Sequence, residues 1–405
     1  MTTLGIVEDV SRTLYRDDVN HINVYPLDEK IELLRIEDRY SRYTGNFAHL
    51  ASEYYARMPE RDALNMLEKT LNIDLKLDSL TRIGEAVAKP YLPKLYDEAD
   101  ELLPASMNGP GFLEQRIQEI DASPDRDAII LKALEENIEG VERKRAESDL
   151  TVTYVESDGT GVSGLPRELS GKGKSGGPAK TFEAKIGVLF NQGFDPNGLP
   201  LLDNKRIYRL PNSTQYMGTT EKIGQFTPQL ACFTIRNGID CADQIVFLSD
   251  GATWLEKLRE KLYPYSIGIV DLYHARQHLL RIVNMLGLNI NHKRIAFHEE
   301  CSHLLDLGDI DRLVTLISTK INKSNRADVE KELAYFTNNK HKMRYGLFRA
   351  AGLFVGSGVV EAACKIIVEN RLNGSGMRWS KKHAANVIAL RCAIYSGRFG
   401  AAVAA

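Results

Sequence analysis

The chain has 405 residues, 43% of them hydrophobic and 26% charged, with a formal net charge of −2. That length exceeds one ordinary domain and supports a sizeable core, so two or three units are expected. The near-neutral balance argues against nonspecific coating of nucleic acid, and no apolar run approaches the roughly 20 residues that a bilayer span needs.

Charge is unevenly spread. Residues 340–398 hold eleven Lys/Arg and two acids, whereas 91–150 hold fifteen Asp/Glu against seven Lys/Arg. A basic C-terminal face suits a phosphate backbone, and an ordinary solvated surface fits equally well. The five cysteines (Cys232, Cys241, Cys301, Cys364 and Cys392) form no C-x-x-C pair. This argues against a zinc knuckle and suits a reducing compartment. With no basic-then-apolar leader, the expected location is the cytoplasm.

Residues 1–150 read as mostly helical. Leu33, Leu34 and Ile36 open an apolar pattern that Phe47, Leu50, Ala51, Tyr54 and Tyr55 continue at helical spacing. Ala63, Leu64, Leu67 and Leu71 make one helix face; Leu80, Ile83 and Val87 make the next, with Asp78 as its cap. The pair over 62–88 fits a helix-turn-helix as well as a plain helical hairpin.

From residue 151 the period shortens. Val152 to Val155, Ala184 to Phe190, Arg206 to Leu210, Ile245 to Leu248 and Ser266 to Asp271 read as strands. A helix through Trp254, Leu255, Leu258 and Leu262 joins the last two and implies a parallel crossover. Residues 276–345 return to helical spacing as an insertion, and 358–371 and 381–395 read as two further helices. The loop over 170–180, with Lys172 and Lys174, carries Gly-Lys-Ser but lacks the earlier glycine of a P-loop, since that position is Glu168. It reads as a basic hairpin tip, either touching DNA or simply solvated.

Three acidic residues carry the chemistry. Asp158 (Glu-Ser-Asp-Gly-Thr-Gly) and Asp250 (Leu-Ser-Asp-Gly-Ala-Thr-Trp) each end a strand and precede a glycine. Glu361 follows Gly356-Ser357-Gly358 and opens a helix. Any one Asp-Gly is usually a turn. Two at strand ends together with a carboxylate helix suit divalent metal, and two Mg²⁺ ions supply what phosphodiester cleavage requires. Asp271 and His274 leave the next strand toward the same edge. His274 and His278 are spaced for zinc but lack a third soft ligand, and a structural capping role competes. Lys365, Arg371, Arg378 and Trp379 suggest a grip on a DNA end, with Arg on phosphate and Trp on a frayed base; a packed Trp379 is the alternative.

These blocks, through Arg371-Leu-Asn-Gly-Ser-Gly-Met-Arg-Trp379, resemble bacterial insertion-sequence transposases with a DDE centre, most closely the ISKra type, over about residues 150–395. The order of blocks is also similar to that of Mutator-like elements. The resemblance implies an RNase H-like α/β core using Mg²⁺, for which Mn²⁺ would substitute. It implies Asp158, Asp250 and Glu361 as metal ligands, with Asp271 and His274 in support. It implies double-stranded DNA partners (terminal inverted repeats and target) and action as a homo-oligomer. The chain departs from the family in having no cysteine-rich N-terminal segment and in the acidity of its N-terminal half.

The expected parts are a helical region with a candidate helix-turn-helix (1–150), the first part of the core (151–275), a helical insertion (276–345), and the second part with the Glu helix (346–405). A transposase-derived DNA-binding protein without catalysis, a nuclease that does not join strands, and a small-substrate hydrolase are the competing readings.

Overall fold

The computed structural model describes residues 44–71, 73, 75–94, 111–169, 180–287, 291–322 and 326–400, with the backbone of short strands at Tyr15–Asp17, Ile22–Val24, Leu33–Ile36 and Arg39–Thr44. Its centre is a mixed five-stranded sheet of β1 (Leu150–Ser163), β2 (Thr181–Phe194), β3 (Gln215–Thr219), β4 (Gln244–Ser249) and β5 (Ile267–Val270). Across the sheet the order is β3-β2-β1-β4-β5. The first three strands form an antiparallel meander, and β4 and β5 lie parallel to β1. β4 is buried along its whole length, as a central parallel strand must be.

Helices cover both faces. Before the sheet come α1 (Gly45–Arg57), α2 (Glu60–Leu71), α3 (Leu77–Ala88), α4 (Phe112–Ala122) and α5 (Arg126–Leu134). Within it lie α6 (Ile223–Arg236) and α7 (Thr253–Leu262). After it come α8 (Leu272–Met285), α9 (Asn291–Leu307), α10 (Ile310–Ser318), α11 (Arg326–Asn339) and α12 (Tyr345–Ala350). Next is α13 (Gly358–Ala363), which runs on through a π-helical stretch, Cys364–Glu369, and a last turn, Asn370–Leu372. The last is α14 (Lys381–Tyr395). Period-two alternation along β1 sends Val155 to one core, with Phe226, Leu230, Phe247 and Leu258, and Val152 and Tyr154 to the other, with Val246 and Leu248.

The second core is continuous with the N-terminal helices. It also contains Phe47, Tyr55, Leu67, Leu80 and Ile83, because α1 and α3 pack against α14. The helical stretch of 276–345 is likewise joined to earlier chain: α12, which follows it, packs on α4 and α5.

Four expectations need correction. Asp158 does not end its strand: β1 runs on through Gly159 to Ser163, paired with β2 throughout, and only Asp250 lies just past a strand end. Leu33–Ile36 is a strand paired with Arg39–Thr44, where Tyr40 and Tyr43 favour extended backbone. Arg206–Ile207 belongs to a small side sheet, folded against Leu201–Asp203 by a turn in which Asn204 and Lys205 both have positive φ, 51° and 63°. The third strand of the central sheet is instead Gln215–Thr219. The loop with Lys172 and Lys174 lies outside the described residues. Among the described residues, no helix is long and apolar enough to cross a membrane.

Candidate active site

The register of three parallel strands builds the site. Leu248 pairs with Glu156, so two residues further on Asp250 stands beside Asp158. Ser249 pairs with Val270, so Asp271 stands beside Asp250, and the Asp271 N–H donates to the Ser249 carbonyl at 2.7 Å. Because side chains alternate, Asp158 shares the face of Tyr154 and Glu156. After Asp250 the chain turns sharply at Gly251 (φ 85°), where a Cβ would sit 3.0 Å from the Tyr335 ring. Tyr335, from α11, donates its hydroxyl to the Asp250 carbonyl at 2.9 Å.

The Glu361 helix is docked by two buried carboxyls. The N-cap of α13, Ser357, makes no side-chain capping bond, which leaves its first N–H groups in need of partners. Asp271 Oδ2 accepts from the Ser357 N–H, and Glu156 Oε2 accepts from the Val360 N–H at 2.7 Å. The Leu272 N–H also donates to the Val355 carbonyl at 3.0 Å. Both carboxyls lie at a helix N-terminus, where their oxygens take N–H groups that lack partners within the helix. Glu361 itself is exposed and reaches the site from one turn inside the helix. Glu156 is the contributor that sequence reasoning missed; its signal is an acid two residues before Asp158 on the inward face of an otherwise apolar strand.

The electrostatics follow from this crowding. Burial holds the Asp158 carboxyl above its ordinary range, and the charges of Asp250 and Glu361 add to that against the opposing Gly159 N–H and His274. Glu156 is pushed up to about 8, first by burial and then by Asp271 and Glu361, so it is largely protonated at neutral pH. Burial also acts on Asp271, but its hydrogen bonds with His274 and Ser357 outweigh that and hold it below the usual carboxylate range. His274 is raised chiefly by its hydrogen bond to Asp271 Oδ1, with Nδ1 at 3.1 Å, and then by the charges of Asp271, Asp250 and Glu361. The buried Cys364 thiol lies 3.9 Å from Asp158 Oδ2.

The donor set is three carboxylates partly offset by one imidazole, and that chemistry suits a hard divalent cation. Among the described residues, no three His, Cys, Asp or Glu side chains stand at metal-coordinating spacing. Asp158 and Asp250 instead turn an oxygen to the N–H groups of Gly159 (2.6 Å) and Ala252 (2.8 Å). His278 belongs elsewhere: its Nδ1 meets Glu332 at 2.6 Å and its ring stacks on Tyr335.

Two residues expected to touch DNA are interior. Arg371 is 2% exposed; its Nε and Nη2 donate to the Tyr55 carbonyl at the end of α1, at 3.2 and 3.1 Å. Trp379 is buried, donates Nε1–H to the Leu372 carbonyl at 2.9 Å and carries the Arg371 guanidinium on its ring. Arg391 does the same work nearby, donating to the Ala56 carbonyl and to Ile366 and Ile367 in the π-helical stretch. Part of the basic C-terminal charge is therefore spent internally, on carbonyls that helix ends and the π-turn leave free. Lys365 and Arg378 are exposed.

No protein-family model matches the chain, and no curated protein matches it. Among solved structures, the Drosophila P element transposase strand transfer complex is similar, with a TM-score of 0.35 and 11% identity over 92% of this chain and 99% of that one. A likeness that loose assigns no function.

Proposed function

We propose that this chain is a metal-dependent DDE transposase of the insertion-sequence ISKra type, which cuts DNA at mobile-element ends and joins the freed ends to target DNA. The observation that carries the reading is the meeting of Asp158, Asp250 and the Glu361 helix from three distant parts of the sequence at one sheet edge. The sheet order, an antiparallel meander followed by two parallel strands, fits an RNase H-like core.

Mg²⁺, or Mn²⁺ in its place, would be held by Asp158, Asp250 and Glu361, and when bound would neutralise charge on the phosphoryl oxygens and favour hydroxide over water. In the first step a water oxygen bonds to phosphorus at the element end, and the bond from phosphorus to the 3′-oxygen breaks. The freed 3′-hydroxyl then attacks a target phosphodiester, displacing a new 3′-oxygen. Asp271 holds His274 by Nδ1 and favours its cationic form, leaving Nε2 to bind a phosphate oxygen or give a proton to the leaving oxygen. The duplex ends would be held by a homo-oligomer.

The test is cleavage of labelled duplex carrying the DNA that flanks the reading frame, with Mg²⁺ or Mn²⁺, comparing wild type with Asp250→Asn. Metal-dependent cutting and strand-transfer products from wild type, lost in the variant while DNA binding persists, are the expected result. Cutting that survives in Asp250→Asn overturns the assignment of the site. Binding without cutting under either metal leaves a DNA-binding protein without catalysis.

A further inference from the structure

Beyond the carboxylate site, a groove of about 1160 Å³ runs between the α2–α3 pair and the segment 375–383. Three arginines from three different elements line it: Arg61 at the start of α2, Arg82 on α3, and Arg378. All three are exposed, and none has an ion-pair partner among the described residues. Most of the acids of the groove are already answered. Glu60 faces Arg371 at 3.8 Å, and Glu85 takes Lys382 at 3.1 Å and His383 at 2.7 Å. Asp78 remains, so the unpaired charge is positive.

The groove is rigidly tied to the sheet. The Trp379 N–H donates to the Ser163 carbonyl and the Leu165 N–H to the Trp379 carbonyl, both at 2.9 Å, which joins its floor to the end of β1. α3 buries Leu80, Ile83 and Val87 in the core and turns Thr81 and Arg82 into the groove. The helix pair and the carboxylate strand thus share one core. From Asp158 to the end of β1 at Ser163 is about 17 Å at roughly 3.3 Å per residue.

Resting on the transposase reading, we infer that this groove holds the phosphate backbone of the duplex DNA whose reacting phosphodiester lies at the carboxylate site, with Arg61, Arg82 and Arg378 as its phosphate contacts. Unpaired guanidiniums on a fixed frame are suited to that role, since they position a duplex without reading its sequence.

The experiment measures affinity for a 30-base-pair duplex as a function of salt, for the full chain and for Arg61→Ala, Arg82→Ala, Arg378→Ala and the triple variant. The same proteins are run in the cleavage assay, and thermal unfolding checks that each is folded. Each arginine removed should reduce the slope of log affinity against log salt by about 0.9, and the triple variant should reduce it by about 2.7, equally for end sequence and for unrelated duplex. A triple variant with the wild-type slope, beside a wild type that cuts end DNA, overturns the groove and leaves the transposase reading standing. A reduced slope beside a wild type that never cuts keeps the groove and removes the catalysis. Tighter binding of single-stranded RNA than of duplex, abolished in the triple variant, overturns the duplex assignment. A wild type that binds no duplex at low salt overturns both.

Discussion

Replacing Arg371 by Ala separates a structural arginine from a DNA-contacting one. The side chain is 2% exposed and gives two hydrogen bonds to the Tyr55 carbonyl. Its guanidinium lies 4.9 Å from the Trp379 ring centre and 5.8 Å from that of Tyr55. Hydrogen bonds from a charged donor contribute about 1.5–3 kcal/mol, and desolvated cation–π contacts roughly 1–2 kcal/mol. Truncation also leaves a cavity and a carbonyl without a donor at the end of α1. The expected loss is about 3–5 kcal/mol, in line with what breaking a buried charge network costs. At about 1.2 °C per kcal/mol for a chain of this size, Tm should fall by roughly 4–6 °C. Arg371→Lys keeps the charge but not the fork that spans the Tyr55 carbonyl, and should fall between the two. Thermal unfolding by circular dichroism reads the effect, with DNA affinity measured alongside at a temperature where both proteins are folded. An alanine variant with wild-type Tm and weakened DNA binding would refute the reasoning and return Arg371 to the surface role that its sequence context suggested.

Glu156→Leu should leave the Val360 N–H with only the Ser357 carbonyl, 3.0 Å away, and loosen the Glu361 helix, costing about 1 kcal/mol for the hydrogen bond lost. Glu156→Gln, which keeps an acceptor oxygen, should restore most of the stability and most of the cleavage rate. Tyr335→Phe removes the hydroxyl held 2.9 Å from the Asp250 carbonyl; about 1 kcal/mol of stability should go, and in the cleavage assay kcat should fall while KM for DNA holds. For His274 the sign is set by its raised pKa. Its stabilisation relative to His274→Gln should be complete below about pH 6.5, the unfolded value, and should vanish as pH rises through the higher folded value. Urea unfolding of both proteins from pH 5 to 9 checks this, and a difference that grows with pH contradicts the Asp271–His274 pairing.

Local signals carried far in this chain. The apolar run ending in Asp-Gly at 250, the buried run leading into Asp271, and the glycine-flanked start before Glu361 each depend on neighbours within four or five residues, whereas Asp-Gly at 158 lies inside a strand that its pairing with β2 carries on to Ser163. The strands, the crossover helix and the helix starts at 272 and 358 were legible for that reason. Where two local readings competed, propensity could not decide. The apolar pattern at Leu33 opens a strand, and Arg206–Ile207 turns aside into a small sheet while Gln215–Thr219 takes the place beside β2. Arg371 reads as part of a basic, aromatic grip because the carbonyl that holds it is distant in sequence. Arg371 donates to the Tyr55 carbonyl and Arg391, besides its bonds to Ile366 and Ile367, to that of Ala56, each of these two more than three hundred residues away. The same holds for Glu156 and Val360, which meet across some two hundred residues. The sequence by itself determined where the acidic residues fall relative to apolar runs, glycines and helix starts. Only the tertiary structure decided which of them meet and which charges are spent inside, because strand register and the capping of distant helix ends are settled by packing, not by the neighbours along the chain.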